Sequence, residues 1–440
     1  MDYVIDSTLM SDIADAIREK NETTDPIVAA DMPSKIREIK PKYIYGFHID
    51  STESDPTACI TYIADAAGRE PAHMDFENDI WDWGGWQSVF FIPKPCMLKY
   101  DGTVDYYLDP NDYTKRADGI TASDIASTSY SGNAMMEWPK IWMKIVPDTD
   151  PTSASIYFAN YKADENYKCF PYYDTAGNEI DKMYTSIFNG SKIDGKLRSI
   201  SGQHSEQSKD TTDQIAGATA NNTVTDGGWN IELFSDRLMI NLLTVLITKS
   251  LDCKSKIGQG INTGSQIAVN NYYTGSLNNK GLFYGKSSNA ETACKVFGME
   301  NYYAFQWRRT LGLIDVNSEK FVKLCYGTKD GSNTSSYNQN GNDYIDTGVG
   351  AIFSSSTGGW LKFMEFGSLG WAVPKTDSAS QTTYYASYTY ENPNATTLAL
   401  FGGASNGGTR VSLFYCYLSF AASNTDWGVG ASLSMKPLAG

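Results

Sequence analysis

The side chains able to do chemistry are few in this chain and poorly spaced for it. Three histidines are present, His48, His73 and His204. None stands in the HExxH or HxH spacing that brings two imidazoles to one zinc ion. No GxSxG turn presents a serine nucleophile. Residues 281–287 read GxxxGKS, one residue short of a phosphate-binding loop, and a polar stretch follows instead of an apolar helix. Gly258-Gln259-Gly260 has Thr263 where a dinucleotide fingerprint needs its third glycine. Asp101, Asp105, Asp109 and Asp112 lack calcium-loop spacing and read as turn residues. The cysteines (Cys59, Cys96, Cys169, Cys253, Cys294, Cys325, Cys416) are odd in number and without a CxxC pair. They read as reduced, mostly buried thiols and not as a disulfide framework. No catalytic residue is nominated, and the expectation is a protein that binds and is not an enzyme.

Binding chemistry is concentrated in residues 398–440, where Arg410, Asp426 and Lys436 carry all the charge. Phe401, Phe414, Tyr415, Tyr417 and Phe420 are interleaved there with Ser, Asn, Thr and Gly. Rings supply contact area for little lost rotamer freedom, and small polar residues adapt their hydrogen bonding, so the mixture suits a recognition surface. A buried strand pair favours rings as well. The absences separate the two readings: between Leu398 and Asp426 there is no Lys, Glu, Gln, Met or Trp. A buried strand avoids Lys and Glu but has no reason to avoid Met or Trp, which pack well. The gap matches what is reachable from an asparagine codon when only its adenines change.

This segment resembles the variable carboxyl terminus of proteins diversified by diversity-generating retroelements, in which a C-type-lectin-like domain ends in a constant framework threaded with mutable positions. The framework here reads as Gly402-Gly403, Gly407, Phe414, Ala421-Ala422-Ser423, Trp427, Gly430-Ala431-Ser432-Leu433-Ser434 and Lys436-Pro437. The resemblance implies a ligand-binding face of Ala404, Ser405, Asn406, Arg410, Tyr415, Tyr417, Ser419, Phe420, Asn424, Asp426 and Gly428. Tyr415, Tyr417 and Phe420 are its expected anchors, Arg410 and Asp426 its orienting charges, and Trp427 its buried scaffold. It implies no cofactor, leaves room for a structural calcium whose ligands the sequence does not identify, and implies a homotrimer, whose symmetry multiplies weak sites. Glu391-Asn392-Pro393-Asn394 approaches the Glu-Pro-Asn motif of calcium-dependent lectins, but its extra Asn makes it a turn.

The whole chain bounds the partners. With 440 residues it can bury a large core. A formal charge of −15, from 36 basic against 51 acidic residues, argues against a nucleic-acid partner. The amino terminus shows no basic-then-apolar signal region, and no apolar run approaches the roughly 18 residues of a membrane span. No membrane insertion is expected. Aromatic content of 13%, with 29 Tyr, fits a β-rich binding protein.

The elements that must position the face follow from periodicity. Leu9, Ile13 and Ile17 recur at helical spacing, and a second short helix is expected from Asp31, with Pro33 at its first position and Ile36 and Ile39 on one face. The stretch from Ile13 to Ile39 resembles an adaptor element of bacteriophage tail and baseplate proteins. It implies docking to other tail proteins through residues 1–40. A hairpin is expected over 96–108 around Asp101-Gly102, a strand over 135–146 with Pro139 at a kink, a long exposed loop over 200–229, and a buried helix over 235–250, apolar nearly all round. Lys295–Arg309, after Gly281-Leu282-Phe283-Tyr284-Gly285, is similar to the Trp-bearing core strand of the formylglycine-generating-enzyme superfamily.

The resulting expectation is an α+β chain. Residues 1–40 form a helical tail-attachment segment, 41–94 a strand-rich connection, and 95–440 a C-type-lectin-like domain of the enlarged formylglycine-generating-enzyme type, with 398–438 variable. Its expected function is that of a phage or prophage tail receptor-binding protein, made in the bacterial cytoplasm and carried on the virion tail. There it would grip a host-cell surface receptor, protein or glycan. The alternatives are a tail-associated enzyme (glycan depolymerase or formylglycine-type oxidase) and a purely structural tail or baseplate component.

Overall fold

A computed structural model describes residues 7–21, 23–38, 41–266, 269–288, 291–327 and 336–439. Two compact units divide the chain, Met1–Tyr43 and Ile44–Gly440.

In the first unit, helices Ser7–Asn21 and Met32–Glu38 close a small core of Ala14, Ile17 and Met32, with Met10, Ile13 and Ile27 at its edge. The expected inward face of the second helix is corrected: Met32 points inward, whereas Ile36 is 50% exposed. Two turns of helix offer little inward surface, and Met32 takes it. The side chain of Leu9, and Ile39, lie outside the described residues.

The second unit is mixed α/β and dominated by sheet, with few helices. Residues 44–94 contribute strands to this same unit. Four strands, ordered Ile60–Ala64, Ile44–Ile49, Ala154–Ala159, Trp142–Pro147, make one sheet. A seven-stranded sheet runs from Trp229–Ile231 through Leu433–Met435, Lys182–Ser186, Gly132–Pro139, Lys94–Lys99 and Val104–Asp109 to Asp112–Arg116. The hairpin expected around Asp101-Gly102 joins Lys94–Lys99 to Val104–Asp109. Gly102 takes the positive φ of +86° that its turn requires. Asp101 Oδ1 accepts from the backbone N–H and hydroxyl of Thr103, at 2.9 and 2.7 Å, and Asp112 holds Thr114 in the same way. Turn chemistry therefore occupies these two carboxylates.

The strand expected over 135–146 is two strands. The chain leaves the seven-stranded sheet at Pro139 and enters the four-stranded one at Trp142, because proline has no N–H to continue the ladder.

The expected buried helix spans Phe234–Thr248, every residue of it buried, and ends at Lys249 with φ +50°. It is the core's central rod. Asn241 Nδ2 donates to the carbonyl of Leu413 at 3.0 Å, and Tyr302 Oη donates to Asn241 Oδ1 at 3.0 Å.

The long loop expected over 200–229 is corrected. Thr211–Thr219 is a helix, capped by Asp210, whose side chain accepts the Asp213 N–H. Its polar composition hides an inward face that is itself polar. Arg309, fully buried, donates from Nε to Gln214 Oε1 at 2.7 Å and from Nη1 to Thr211 Oγ1 at 2.8 Å.

Candidate ligand-binding cleft

A mixed sheet carries the carboxyl-terminal segment. Its order is Ile345–Gly350, Glu319–Val322, Trp307–Val316, Thr396–Phe401, Cys416–Phe420, Tyr388–Glu391, Thr357–Trp360. Leu400 stands opposite Tyr417, and Tyr417 beside Tyr390. These side chains form a row across three strands, and the Tyr390 and Tyr417 rings stack at 4.9 Å. Alternation sends Cys416 and Leu418 into the core and leaves Tyr417 and Ser419 half-buried on the other face. A register shift between Leu398 and Leu400 then turns Phe420 to the same side as Tyr417, ring edge to ring face at 5.2 Å.

Two loops wall this row. The first leaves the sheet through Gly402 and Gly403, at φ +94° and +88°. A Cβ on Gly403 would stand 2.6 Å from Val411 Cγ1, and one on Gly402 would stand 3.1 Å from the backbone of Tyr303, so both positions need glycine. A 3-10 turn over Ser405–Arg410 follows. Lys254, buried, fastens it by donating to the Thr409 carbonyl at 2.7 Å. The second loop is held from below: the Thr211 N–H donates to Ala422 O, Ser208 N–H to Asp426 O, and Arg309 Nη2 to Asn424 O, at 2.9, 3.0 and 3.0 Å. The helix that the sequence reading missed thus braces this loop.

Between the loops lies a cleft of about 230 Å³, lined by Trp307, Tyr390, Leu400, Ala404, Asn406, Gly407, Arg410, Tyr415, Tyr417, Phe420, Asp426 and Trp427. Of the nominated face, Ala404, Asn406, Arg410, Tyr415, Tyr417, Phe420 and Asp426 meet there. Ser405, Ser419, Asn424 and Gly428 are not among its lining. Ser405 and Gly428 are buried, because Ser405 pairs its backbone with Phe305 and Gly264, and Gly428 gives its carbonyl to the Trp307 N–H. Ser419 and Asn424 sit outside it; Asn424 spends its Oδ1 on the Ala421 N–H at 2.7 Å.

Tyr415 is floor and not rim. It is 4% exposed, packed against Trp307 at 4.4 Å and Tyr388 at 5.6 Å, and burial raises its phenol pKa. Trp427 is corrected in the opposite sense: expected as buried scaffold, it is half-buried and lines the cleft. The loop turns back at Asp426, whose Oδ1 accepts the Gly428 N–H at 2.7 Å, and this leaves the next ring at the surface. Replacing Trp427 by Ala is therefore expected to cost no more than about 1 kcal/mol, well short of a buried-ring cavity; thermal unfolding measures it. Arg410 Nε donates to Gly407 O at 3.0 Å while its guanidinium lies over the Tyr388 ring.

Trp307, Tyr390, Leu400 and Gly407 line the cleft although sequence reading did not nominate them. Trp307 and Tyr390 come from outside the segment with restricted residue usage, Leu400 is an aliphatic side chain within it, and Gly407 reads as framework. Alternation in Tyr388-Thr389-Tyr390 was the signal available for Tyr390.

Behind the sheet lies a buried charge cluster. Glu391, expected in a turn, ends a strand and points inward. Lys320 Nζ donates to its Oε1 at 2.5 Å and approaches Asp315 Oδ2 at 4.0 Å. Burial, reinforced by the Glu391 carboxylate, pushes the Asp315 pKa up to about 8. An aspartate raised above its unfolded value near 3.9 stabilises the fold below that value, and loses this contribution as pH rises toward 8. Unfolding by urea at pH 5 and pH 8 is expected to show a decline that Asp315→Asn reduces; an unchanged slope in that variant contradicts this reading.

All described cysteines are free and buried. Among the described residues, no group of three or more His, Cys, Asp or Glu is placed to hold a metal, and no helix is long and apolar enough to cross a membrane. No protein-family model matches the chain, and no characterised protein matches it in sequence.

Proposed function

We propose that the chain is a phage or prophage tail receptor-binding protein. On this reading it presents a diversified carboxyl-terminal surface on a C-type-lectin-like scaffold to a host-cell receptor. The observation that carries the reading is a coincidence of position. Residues 398–426 combine restricted amino-acid usage with an open, ring-lined cleft, in which Tyr417, Phe420 and Trp427 are half-buried beside Arg410 and Asp426. Rigid rings with adaptable polar neighbours suit an anchor site for a larger partner. At about 230 Å³ the cleft is smaller than a typical small-molecule pocket and fits one protruding group of a receptor.

The constant parts are tied down as a display platform needs. The loops rest on Arg309, Lys254 and Asn241, and Lys436 is fixed to the central helix. In the amino-terminal unit, Val28 and Ile36 are exposed apolar side chains, suited to docking on another tail protein. A homotrimer and an outward position on the virion tail belong to the same proposal.

The coding DNA tests diversification directly. A second copy of the final stretch, differing only at adenines and lying beside a reverse transcriptase gene, is the expected finding. Adsorption of the purified chain to bacterial cells tests the receptor role.

A further inference from the structure

We propose a second ligand site, independent of the carboxyl-terminal cleft: a platform for a neutral glycan formed where the hairpin His73–Asp75/Ile80–Asp82 meets residues 279–284. The cleft there measures about 540 Å³, inside the roughly 300–1,000 Å³ range of small-molecule sites. Its floor is aromatic. The Trp81 ring stacks on Phe283 at 4.3 Å, and Trp83 meets Phe283 edge-on at 5.6 Å. Both tryptophans are half-buried, so part of each ring faces solvent, and Ile80 beside them is 63% exposed. Apolar rings left open at a concave surface are the physical requirement for stacking the C–H face of a sugar.

The rim supplies what the hydroxyls need. Gln87, Asn111 and Asn279 are exposed amides that line the cleft, and each amide both donates and accepts. The charges lining the cleft, Asp79 and Lys280, are paired with one another at 3.5 Å; Asp79 also holds Lys286 at 2.7 Å and accepts from Tyr284 Oη at 3.0 Å. The two charges in the lining, Asp79 and Lys280, cancel, Lys286 stands outside the lining, and the chain's net −15 opposes a polyanion. An apolar side chain would use the rings and leave the amide rim to solvent. A neutral oligosaccharide uses both rings and rim.

The test is an array of neutral hexose and N-acetylhexosamine oligosaccharides, anionic glycans and apolar peptides, probed with the full chain. Binding to neutral members is expected. It should fall at least tenfold in Trp83→Ala and in the double variant Gln87→Ala/Asn279→Ala, and persist in Tyr417→Ala. The amide pair is exposed, so its removal is expected to leave the fold intact, which circular dichroism checks, and it reports on the rim even where the tryptophan variant unfolds. Binding to no neutral glycan, binding only to anionic glycans or peptides, binding indifferent to the amide variant, or binding lost only in Tyr417→Ala overturns it.

Discussion

Alanine at Tyr417 and Phe420 together is expected to weaken adsorption to host cells roughly 100-fold or more, while stability stays within about 1–2 kcal/mol of the parent. The two rings touch edge to face, line the cleft and are only half-buried, so truncating them removes contact surface without opening a cavity in the core. Two anchors worth about 1.4 kcal/mol each already give that factor. Tyr415→Ala is expected to behave differently, losing about 3–5 kcal/mol as buried ring truncations do. Its ring fills the space between Trp307, Tyr388 and Gly403. The pair of variants separates surface from floor: binding isotherms on cells report the first, urea unfolding the second. Adsorption by Tyr417→Ala/Phe420→Ala at the parent's level, in a folded protein, removes the cleft from the receptor site.

A stability effect as large as that of Tyr415→Ala is expected at Lys436. Its ammonium is buried and donates to Asp236 Oδ1 at 2.6 Å, and Ser434 Oγ donates to Oδ2 of the same carboxylate at 2.7 Å. This pair ties the last strand, Leu433–Met435, to the first turn of the central helix. Lys436→Met strands the aspartate in the core, and about 3–5 kcal/mol of stability should be lost in denaturant titration. Asp236→Leu should cost a similar amount, and the double variant should recover much of it, since two apolar side chains leave no orphan charge. If the double variant is as unstable as the sum of the singles, the pair is not the tie described.

Much of the fold was legible because local chemistry and tertiary packing agree. Asp101-Gly102 encodes its hairpin, since a positive φ at glycine is a local demand. The run Leu238-Met239-Ile240 through Leu246-Ile247 encodes a helix buried all round. The helix Thr211–Thr219 was not legible, because its inward residues are polar and are satisfied by Arg309, a partner remote in sequence. The strand over 135–146 was legible as extended chain, but only the pairing partners show that it crosses from one sheet to another at Pro139.

The same division holds for the site. The residue types of the carboxyl-terminal segment, with its rings, its small polar neighbours and its isolated Arg410 and Asp426, are a property of sequence alone, and they marked the segment that supplies most of the ring-lined cleft. Which rings face outward is not. Tyr415 and Tyr417 are equivalent by composition and by alternation, yet the packing of Trp307 and the Gly402-Gly403 loop seals one and leaves the other half-open. Phe420 reaches the cleft through a register shift in its strand pair, and Trp427 through a turn closed by Asp426. Trp307 joins from a strand far along the chain, and Tyr390 from the strand that precedes the segment but pairs with its later strand. Local preference sets residue type and backbone conformation, whereas exposure depends on which distant surface arrives to cover each side chain, and only the assembled sheet decides that.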